Sequence, residues 1–188
     1  MATYDLCTLD QVRDYGELKG LTAQDEDVIE DLITRVTTLF ENYVNKKIKS
    51  REFTEYYDGH GEYNLVTNQY PIISIDSIKD DVNWEWGSDT TVGSTDYRIH
   101  TDKTYVVLQT TLQNAIQNVK IVYTAGYATI PTDIVQACIE EVLRKYRHRT
   151  DFDVTAMSQE NGSVTYTEKG LLTGTKAILD KYKRVGLY

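Results

Sequence analysis

Residues 121–137 read IVYTAGYATIPTDIVQA and join the two kinds of local structure from which the rest of the chain is built. The run before Gly126 is rich in β-branched residues, which favours a strand, and the glycine permits a turn. Pro131 suits the first turn of a helix because it has no backbone N–H to leave unpaired, and Thr132 or Asp133 can cap that helix. The segment therefore predicts a strand, a turn and a helix.

The predicted helix has one apolar face and a basic end. Apolar side chains recur at steps of three and four residues, as expected for a helix that packs on a core. They are Ile134, Val135, Cys138, Ile139, Val142, Leu143 and Tyr146. The far end, up to residue 149, carries the basic side chains Arg144, Lys145, Arg147, His148 and Arg149. Complementarity to the helix dipole, contact with a neighbouring subunit and contact with DNA phosphates each explain this basic cluster, and all three readings stay open.

Upstream of this segment, residues 51–124 have the composition of β structure. Six short runs rich in Tyr, Val, Ile and Thr are separated by Gly, Asn and Asp. They are REFTEYYDG from residue 51, EYNLVT from 62, PIISIDSIKD from 71, DYRIH from 96, TYVVLQ from 104 and NVKIVYTAG from 118. Asp58-Gly59 and Gly61 predict a hairpin turn between the first two strands. Ile73 and Ile75 alternate with polar residues, which predicts a half-buried third strand.

Two helices are predicted before the β region. Thr8 is a suitable N-cap for a short helix that ends at residue 15, with a glycine to stop it. Thr22, with Asp25 three residues later, has the pattern of a capping box at the start of a long amphipathic helix over residues 22–47.

After residue 149 the composition changes again. Residues 150–163 have turn composition and predict a loop, followed by a short strand at 164–167 and a last helix at 175–184. Strands follow one another instead of alternating with helices, so the predicted class is α+β, a small helical bundle with an inserted antiparallel β-sheet and a C-terminal arm. We expect a core of residues 1–149 and an arm of residues 150–188.

The charge is unevenly distributed along the chain. The net charge is −9, with 11 Lys/Arg and 24 Asp/Glu in residues 1–143 (−13) and 9 and 5 in residues 144–188 (+4). Such a chain is a poor general binder of duplex DNA. An acidic body and a basic end either contact each other head to tail between copies or are simply solvated faces.

The remaining composition predicts a protein that is made in the cytoplasm. No run is long and apolar enough to span a membrane, and the acidic N-terminus lacks the features of a signal peptide. Cys7 and Cys138 show no paired spacing, which predicts two small buried hydrophobes in a reducing compartment and not a disulfide.

Residues capable of catalysis or metal binding form no recognisable group. His60, His100 and His148 lack metal-ligand spacing, and the adjacent Glu140 and Glu141 diverge on a helix. GLLTGTK at residues 170–176 departs from a phosphate loop, which needs four residues between its glycines and Lys directly after the second, so these glycines are interpreted as hinges before the last helix. We therefore expect no enzyme activity, catalytic residue, metal or cofactor.

Three stretches together resemble the head–tail connector (adaptor) proteins of siphophage-type tailed phages. They are TLDQV from residue 8, which leads into the long helix, PIISIDSI from residue 71, and VYTAGY from residue 122 with IPTDI from 130 and Ala137. Their order and spacing carry the resemblance across most of residues 8–149.

The resemblance implies a structural protein of the virion neck, made in the host cytoplasm. Such proteins form a ring, usually of twelve copies, with the portal on one side and the stopper or tail-completion protein on the other. Double-stranded DNA passes through the centre without sequence-specific binding, and no membrane is involved. The alternatives are a tail-completion or other neck or tail structural protein and, third, an enzyme with a dispersed site.

The resemblance also suggests where the partners bind. Related adaptors often reach the portal with their C-terminal segment, which makes seven residues candidates for that contact: Leu179, Tyr182, Lys183, Arg184, Val185, Leu187 and Tyr188. The candidates for contact with a neighbouring subunit are Arg144, Lys145, Arg147 and Arg149.

Overall fold

The computed structural model describes residues 2–149, 156–159, 162–165 and 170–183. The helices in these residues are α1 (Leu9–Tyr15), α2 (Ala23–Val44), α3 (Thr132–Arg147) and α4 (Thr173–Asp180). The strands are β1 (Arg51–Gly59), β2 (Asn64–Val66), β3 (Ile72–Asp80), β4 (Tyr97–Ile99), β5 (Tyr105–Leu108), β6 (Ala115–Ala125), β7 (Ala156–Gln159) and β8 (Gly162–Thr165). The strand pairs are antiparallel, so the predicted α+β class is confirmed.

The first two helices begin where their capping residues predict. The Thr8 hydroxyl accepts a hydrogen bond from the Gln11 backbone N–H at 3.2 Å, and the Gln11 side chain accepts from the Thr8 N–H at 2.8 Å. Thr22 and Asp25 form the same reciprocal pair at the start of α2. This helix ends at Val44, three residues before its predicted end, because Asn45 adopts a left-handed conformation with φ 53°.

The predicted cap of α3 is wrong. Pro131 is the N-cap residue with an extended ψ of 135°, and it makes no side-chain cap hydrogen bond. Thr132 is already helical because the proline supplies the entry to the helix, so no side-chain cap is needed to set its start. Asp133 is not the cap, and its carboxylate accepts from the neighbouring Ile134 N–H at 2.9 Å and from the Tyr182 hydroxyl at 2.7 Å. The helix ends at Arg147, with His148 as its C-cap, and not at residue 149.

The chain divides into two compact units. One, which we call the helical unit, comprises Met1–Asn45 and Ile130–Tyr188, and the other, the β unit, is the insertion Lys46–Thr129. In the helical unit α1, α3 and α4 pack on α2, and α3 also packs on α1 and α4. Its fully buried apolar side chains include Val12, Ile29, Ile33, Val36, Phe40, Ile134, Cys138, Val142 and Leu179.

Helix α4 is an integral part of the helical unit. Leu171, Thr175 and Leu179 on one side of this segment are buried, and α4 contacts both α2 and α3. It is shorter than the predicted helix, since it ends at Asp180.

The two cysteines meet inside the same unit. Both thiols are free and buried, and their Sγ atoms lie 3.5 Å apart although the residues are separated by 131 positions. Their burial agrees with their interpretation as small core residues.

The β unit contains two three-stranded antiparallel sheets, ordered β1-β6-β3 and β2-β5-β4. In the first sheet Arg51 and Ile72 both lie opposite Ala125, so the long strand β6 forms the centre. One core cluster serves both sheets, and its fully buried members are Ile72, Ile78, Val106, Val119, Ile121, Tyr123 and Ala125.

The predicted hairpin between the first two strands is wrong. Strand β1 pairs with β6 and β2 pairs with β5, so residues 58–61 connect two different sheets. Gly61 does adopt the left-handed conformation of a turn, with φ 70°. The sequence therefore predicts a turn at Gly61 correctly. The pairing partners of β1 and β2 depend instead on contacts with residues far along the chain.

Strand β3 does not follow simple alternation. Its register against β6 shifts twice, between Ile72 and Ser74 and between Ile75 and Ser77. Each such bulge adds a residue to one strand and changes which face the following side chain occupies. As a result Ile72 and Ile78 are buried, while Ile73, which alternation places beside Ile75 on the inner face, is exposed.

The predicted loop at residues 150–163 is wrong in its last part. Residues 156–159 form β7, which pairs with β8 in a two-stranded hairpin. The strand that was predicted from residue 164 overlaps β8 but begins two residues earlier.

Candidate assembly surfaces

The basic end of α3 is tied to the beginning of α2. The Arg149 guanidinium lies 3.2 Å from Asp25 Oδ1 and 4.1 Å from the centre of the Tyr146 ring. The Tyr146 hydroxyl donates to the same carboxylate oxygen at 2.8 Å, and the Thr22 hydroxyl donates to Asp25 Oδ2 at 2.8 Å. One carboxylate thus joins the cap of α2 to the last turn of α3.

A buried carboxylate anchors α4 to α3. The Glu141 side chain is 0% exposed, and its Oε2 accepts from the Arg144 guanidinium at 2.7 and 3.1 Å. Its Oε1 accepts from the Leu172 backbone N–H at 2.6 Å, directly before α4. Arg144 also donates to the Gly170 carbonyl at 2.7 Å.

Three of the four predicted subunit-contact residues therefore have partners within their own chain. Besides Arg144 and Arg149, Arg147 donates to the Gly16 carbonyl at 3.3 Å, and Lys145 is half-buried. Arg147 and Arg149 remain largely exposed on their outer sides. Contact of this basic end with a neighbouring subunit or with DNA stays a prediction.

Three of the predicted portal-contact residues lie in the last turn of α4 or directly after it. Leu179 is 0% exposed and packs in the core, and the Tyr182 hydroxyl is bonded to Asp133. The Lys183 ammonium lies 3.0 Å from Asp180 and 3.6 Å from the centre of the Tyr43 ring. The other four candidates lie outside the described residues: Arg184, Val185, Leu187 and Tyr188.

A second surface, which the sequence analysis did not single out, lies in the β unit after β3. Asp81 is buried, and its carboxylate accepts from the backbone N–H groups of Asn83 at 2.9 Å and Trp86 at 2.7 Å. These bonds hold the pKa of the Asp81 carboxyl below its ordinary value of 3.8. The turn that Asp81 organises presents Trp84, whose indole N–H donates to the Ile116 carbonyl at 3.2 Å.

The residues considered for chemistry are dispersed. His60 is exposed, His148 caps α3, and His100 stacks on Tyr105 at 4.2 Å and lies 2.8 Å from Asp102. Gly174 lies inside α4 and not in a hinge before it. Among the described residues no three His, Cys, Asp or Glu side chains are grouped so as to hold a metal ion, and no helix is long and apolar enough to cross a membrane.

The Asp25 contacts predict a dependence of stability on pH. Hydrogen bonds from Thr22 and Tyr146, helped by the charge of Arg149, hold the pKa of the Asp25 carboxyl below 3.8. A lowered pKa contributes stability that is present above the unfolded-state pKa and is lost as pH falls through the folded-state pKa. We expect the melting temperature to fall between about pH 5 and pH 2, and Asp25→Asn to make this fall less steep. Thermal melts across this range test it, with Asp27→Asn, an exposed acid of the same helix, as control.

The sequence of the chain can be compared with those of known protein families. Residues 5–185 match the profile of the head completion protein family. The chain belongs to this family. The match continues well beyond residue 149, so most of the C-terminal region is part of the family pattern. It confirms the resemblance to connector proteins, whereas a search of curated protein sequences gives no match.

Solved structures share the fold of this head completion protein. A chain in the neck of an empty gene transfer agent particle, computed with C6 symmetry, has a TM-score of 0.64 and 17% identity. A chain in the neck of the native particle, computed with C12 symmetry, has a TM-score of 0.58 and 18% identity. Each comparison covers 96% of this chain and 90% of the other. At this identity the likeness establishes a common fold that includes both units.

Proposed function

We propose that this head completion protein is the adaptor ring of a virion neck, with the portal on one side and a stopper or tail on the other. Twelve copies would surround the channel through which double-stranded DNA passes. The protein would be made in the host cytoplasm and act as a structural part, without catalysis. The observation that carries the proposal is family membership over residues 5–185 together with a fold shared with chains of a C12-symmetric particle neck.

The architecture suits a ring subunit. A cyclic ring requires two different faces that complement each other in neighbouring copies. A chain with two compact units and an uneven charge distribution can supply two such faces. The net charge of −9 also favours a channel in which duplex DNA slides without sticking, because like charges repel.

The end of α4 is the part of this chain that we assign to the portal. Tyr182 and Lys183 are the last described residues of the helical unit, and residues 184–188 follow them in the sequence. The buried Leu179 would act indirectly by fixing α4 in place. The exposed sides of Arg147 and Arg149 are available to a neighbouring subunit in addition to their contacts within the chain.

Disruption of the gene in its own phage or particle system tests the function. We expect DNA-filled heads and separate tails by electron microscopy, and joined particles when purified protein is added back. A density map of the neck should then show a ring of this fold between portal and tail. Normal joining in the absence of the protein would refute the proposal.

Chemical crosslinking separates the adaptor from the tail-completion alternative. Crosslinks from the C-terminal lysines, Lys181 and Lys183, to the portal are expected for an adaptor. Crosslinks to the tail tube with none to the portal would identify a tail-completion protein instead. Replacement of His60, His100 and His148 by alanine should leave joining unchanged, since assembly requires no histidine chemistry.

A further inference from the structure

The turn after β3 presents a group of aromatic and apolar side chains at one end of the first sheet. We call this group the aromatic tip, and its members are Tyr56, Val82, Trp84, Trp86 and Ile116. The Tyr56 and Trp86 rings are 5.5 Å apart, and Lys120 lies 5.8 and 5.9 Å from their centres. Trp84 is 58% exposed and Ile116, to whose carbonyl it is bonded, is 72% exposed.

The aromatic tip is held in a conformation that a free chain would avoid. Trp84, Trp86 and Gln117 all have left-handed backbones, with φ of 61°, 55° and 49°. Non-glycine residues rarely adopt this region, and such outliers concentrate at functional sites. Hydrogen bonds to the buried Asp81 and from Lys79 to the Trp86 carbonyl impose the conformation. The exposed indole is therefore fixed in position before any partner arrives.

A fixed, exposed tryptophan beside an exposed isoleucine has the character of an interface centre. Trp and Tyr are enriched among the residues that dominate binding energy, and a preorganised group loses little entropy when it binds. Exposed acidic residues border the tip: Asp58, Glu85 and Asp89. A matching partner surface must offer apolar or cationic side chains to the aromatic rings. It must also carry positive charge opposite the acidic residues of the border.

We propose that the aromatic tip binds the basic end of α3, residues 144–149, in a second copy of this chain. These residues contain four Lys/Arg and no Asp/Glu, the opposite sign to residues 1–143. Arg147 and Arg149 are exposed there and can meet the acidic border, and arginine also stacks well on tryptophan. The proposal rests on the ring function, since this contact between unlike faces is of the kind that closes a ring.

Photo-crosslinking in assembling particles tests this proposal. Benzoylphenylalanine replaces Trp84 in the full chain, and a matched chain carries it at Tyr63, which is 57% exposed and precedes β2 in the other sheet. We expect a two-copy product from position 84, with the second copy labelled within residues 144–149, and no such product from position 63. A product with the portal or tail, or no product at all, would overturn the proposal.

A charge exchange provides a second test. Glu85→Lys should reduce incorporation into joined particles at least 10-fold, and Arg147→Glu in the same chain should restore it in part. Both residues are exposed, so the melting temperature of each purified variant should stay close to that of the unchanged protein. If these variants join heads to tails normally while disruption of the gene does not, this contact is excluded and the neck function stands.

The buried thiols carry an independent inference. Cys7 precedes α1 and Cys138 lies in the middle of α3, with their sulfur atoms 3.5 Å apart. At that separation the two sulfur atoms are in contact but not covalently bonded, because the S–S bond of a disulfide is about 2.05 Å long. The hydrogen bond to Cys7 and burial raise the pKa of the Cys138 thiol, which keeps it protonated and slow to react.

We infer that hydrogen peroxide converts this pair to an intrachain disulfide. Peroxide oxidises one thiol to a sulfenic acid with release of water, and the second sulfur displaces a second water as the S–S bond forms. The two thiols together lose two electrons and two protons, which the peroxide takes up. The bond would tie the segment before α1 to α3 after particles leave a reducing cytoplasm.

Mass spectrometry of the unchanged protein tests the reaction. After prolonged exposure to peroxide we expect a loss of about 2 Da in the linked peptides that contain Cys7 and Cys138, separate from any methionine oxidation. We also expect no thiols available under denaturing conditions and a melting temperature several degrees higher. Cys7→Ser and Cys138→Ser should each abolish the mass change. Two thiols that stay free, or that form sulfonic acids without a crosslink, would overturn this inference.

Discussion

Replacing Glu141 with alanine is expected to lower the free energy of unfolding by about 3 kcal/mol, because the carboxylate is buried and satisfies two groups at once. Its loss removes a buried counter-ion from the Arg144 guanidinium, whose side chain is only 23% exposed. It also leaves the Leu172 N–H without its acceptor. Because α4 has no side-chain cap of its own, that acceptor fixes the start of the helix.

Denaturant unfolding measures the loss, and hydrogen exchange locates it. Exchange should accelerate most in residues 170–183, since α4 loses its anchor first. Glu140→Ala is the matched control one position away, because Glu140 is exposed and its carboxylate accepts from Gln136 at 2.8 Å and from Tyr15 at 3.3 Å. That variant should change stability by less than about 0.5 kcal/mol. Equal effects of the two substitutions would exclude the anchoring role.

The helices could be predicted from the sequence because their signals are local. A capping residue and its partner lie three positions apart, so Thr8 with Gln11 and Thr22 with Asp25 mark both helix starts within a few residues of chain. The end of α2 was less predictable. A lysine-rich stretch suits a helix end, but the left-handed Asn45 that stops the helix has no equally distinct signal.

The sequence predicts where the strands of the two sheets lie, but it does not predict how these strands pair. All six runs in residues 51–124 form strands, yet the residues of β1 pair with residues 56 to 74 positions further along the chain. Pairing of this kind depends on which apolar faces can share a core, which local patterns do not contain. The two bulges in β3 illustrate the same limit, because each changes the face that a residue occupies without changing the composition of the strand.

The candidate assembly surfaces are the part of the structure that is least predictable from the sequence. Glu140 and Glu141 look equivalent in sequence, but one faces solvent and the other is buried against Arg144. The basic cluster was recognised, but its partners Asp25 and Gly16 come from the other end of the chain. The signal for the aromatic tip was available in DVNWEWG, where two tryptophans stand in a short polar turn after a strand. Exposure of Trp84 could not be read from that pattern.

Two truncations of the C-terminus are expected to have different and large effects. A chain that ends at residue 169 lacks Leu171 and Leu179, which are buried, and it uncovers the surfaces of α2 and α3 on which α4 packs. Two fully buried leucines contribute roughly 5 kcal/mol, comparable to the whole stability of many domains. This shorter chain should therefore unfold or aggregate, and its failure in assembly would not identify a portal contact.

A chain that ends at residue 183 separates folding from portal binding. It keeps α4 and its bonds from Tyr43 to Asp180 and from Tyr182 to Asp133, so its melting temperature should match that of the full chain within a few degrees. It lacks the proposed contacts of Arg184, Val185, Leu187 and Tyr188. Because a ring binds through many equivalent contacts, their simultaneous loss should reduce joined particles roughly 100-fold or more. Normal joining by this folded chain would remove the portal assignment from residues 184–188 and move it to the surface of the helical unit.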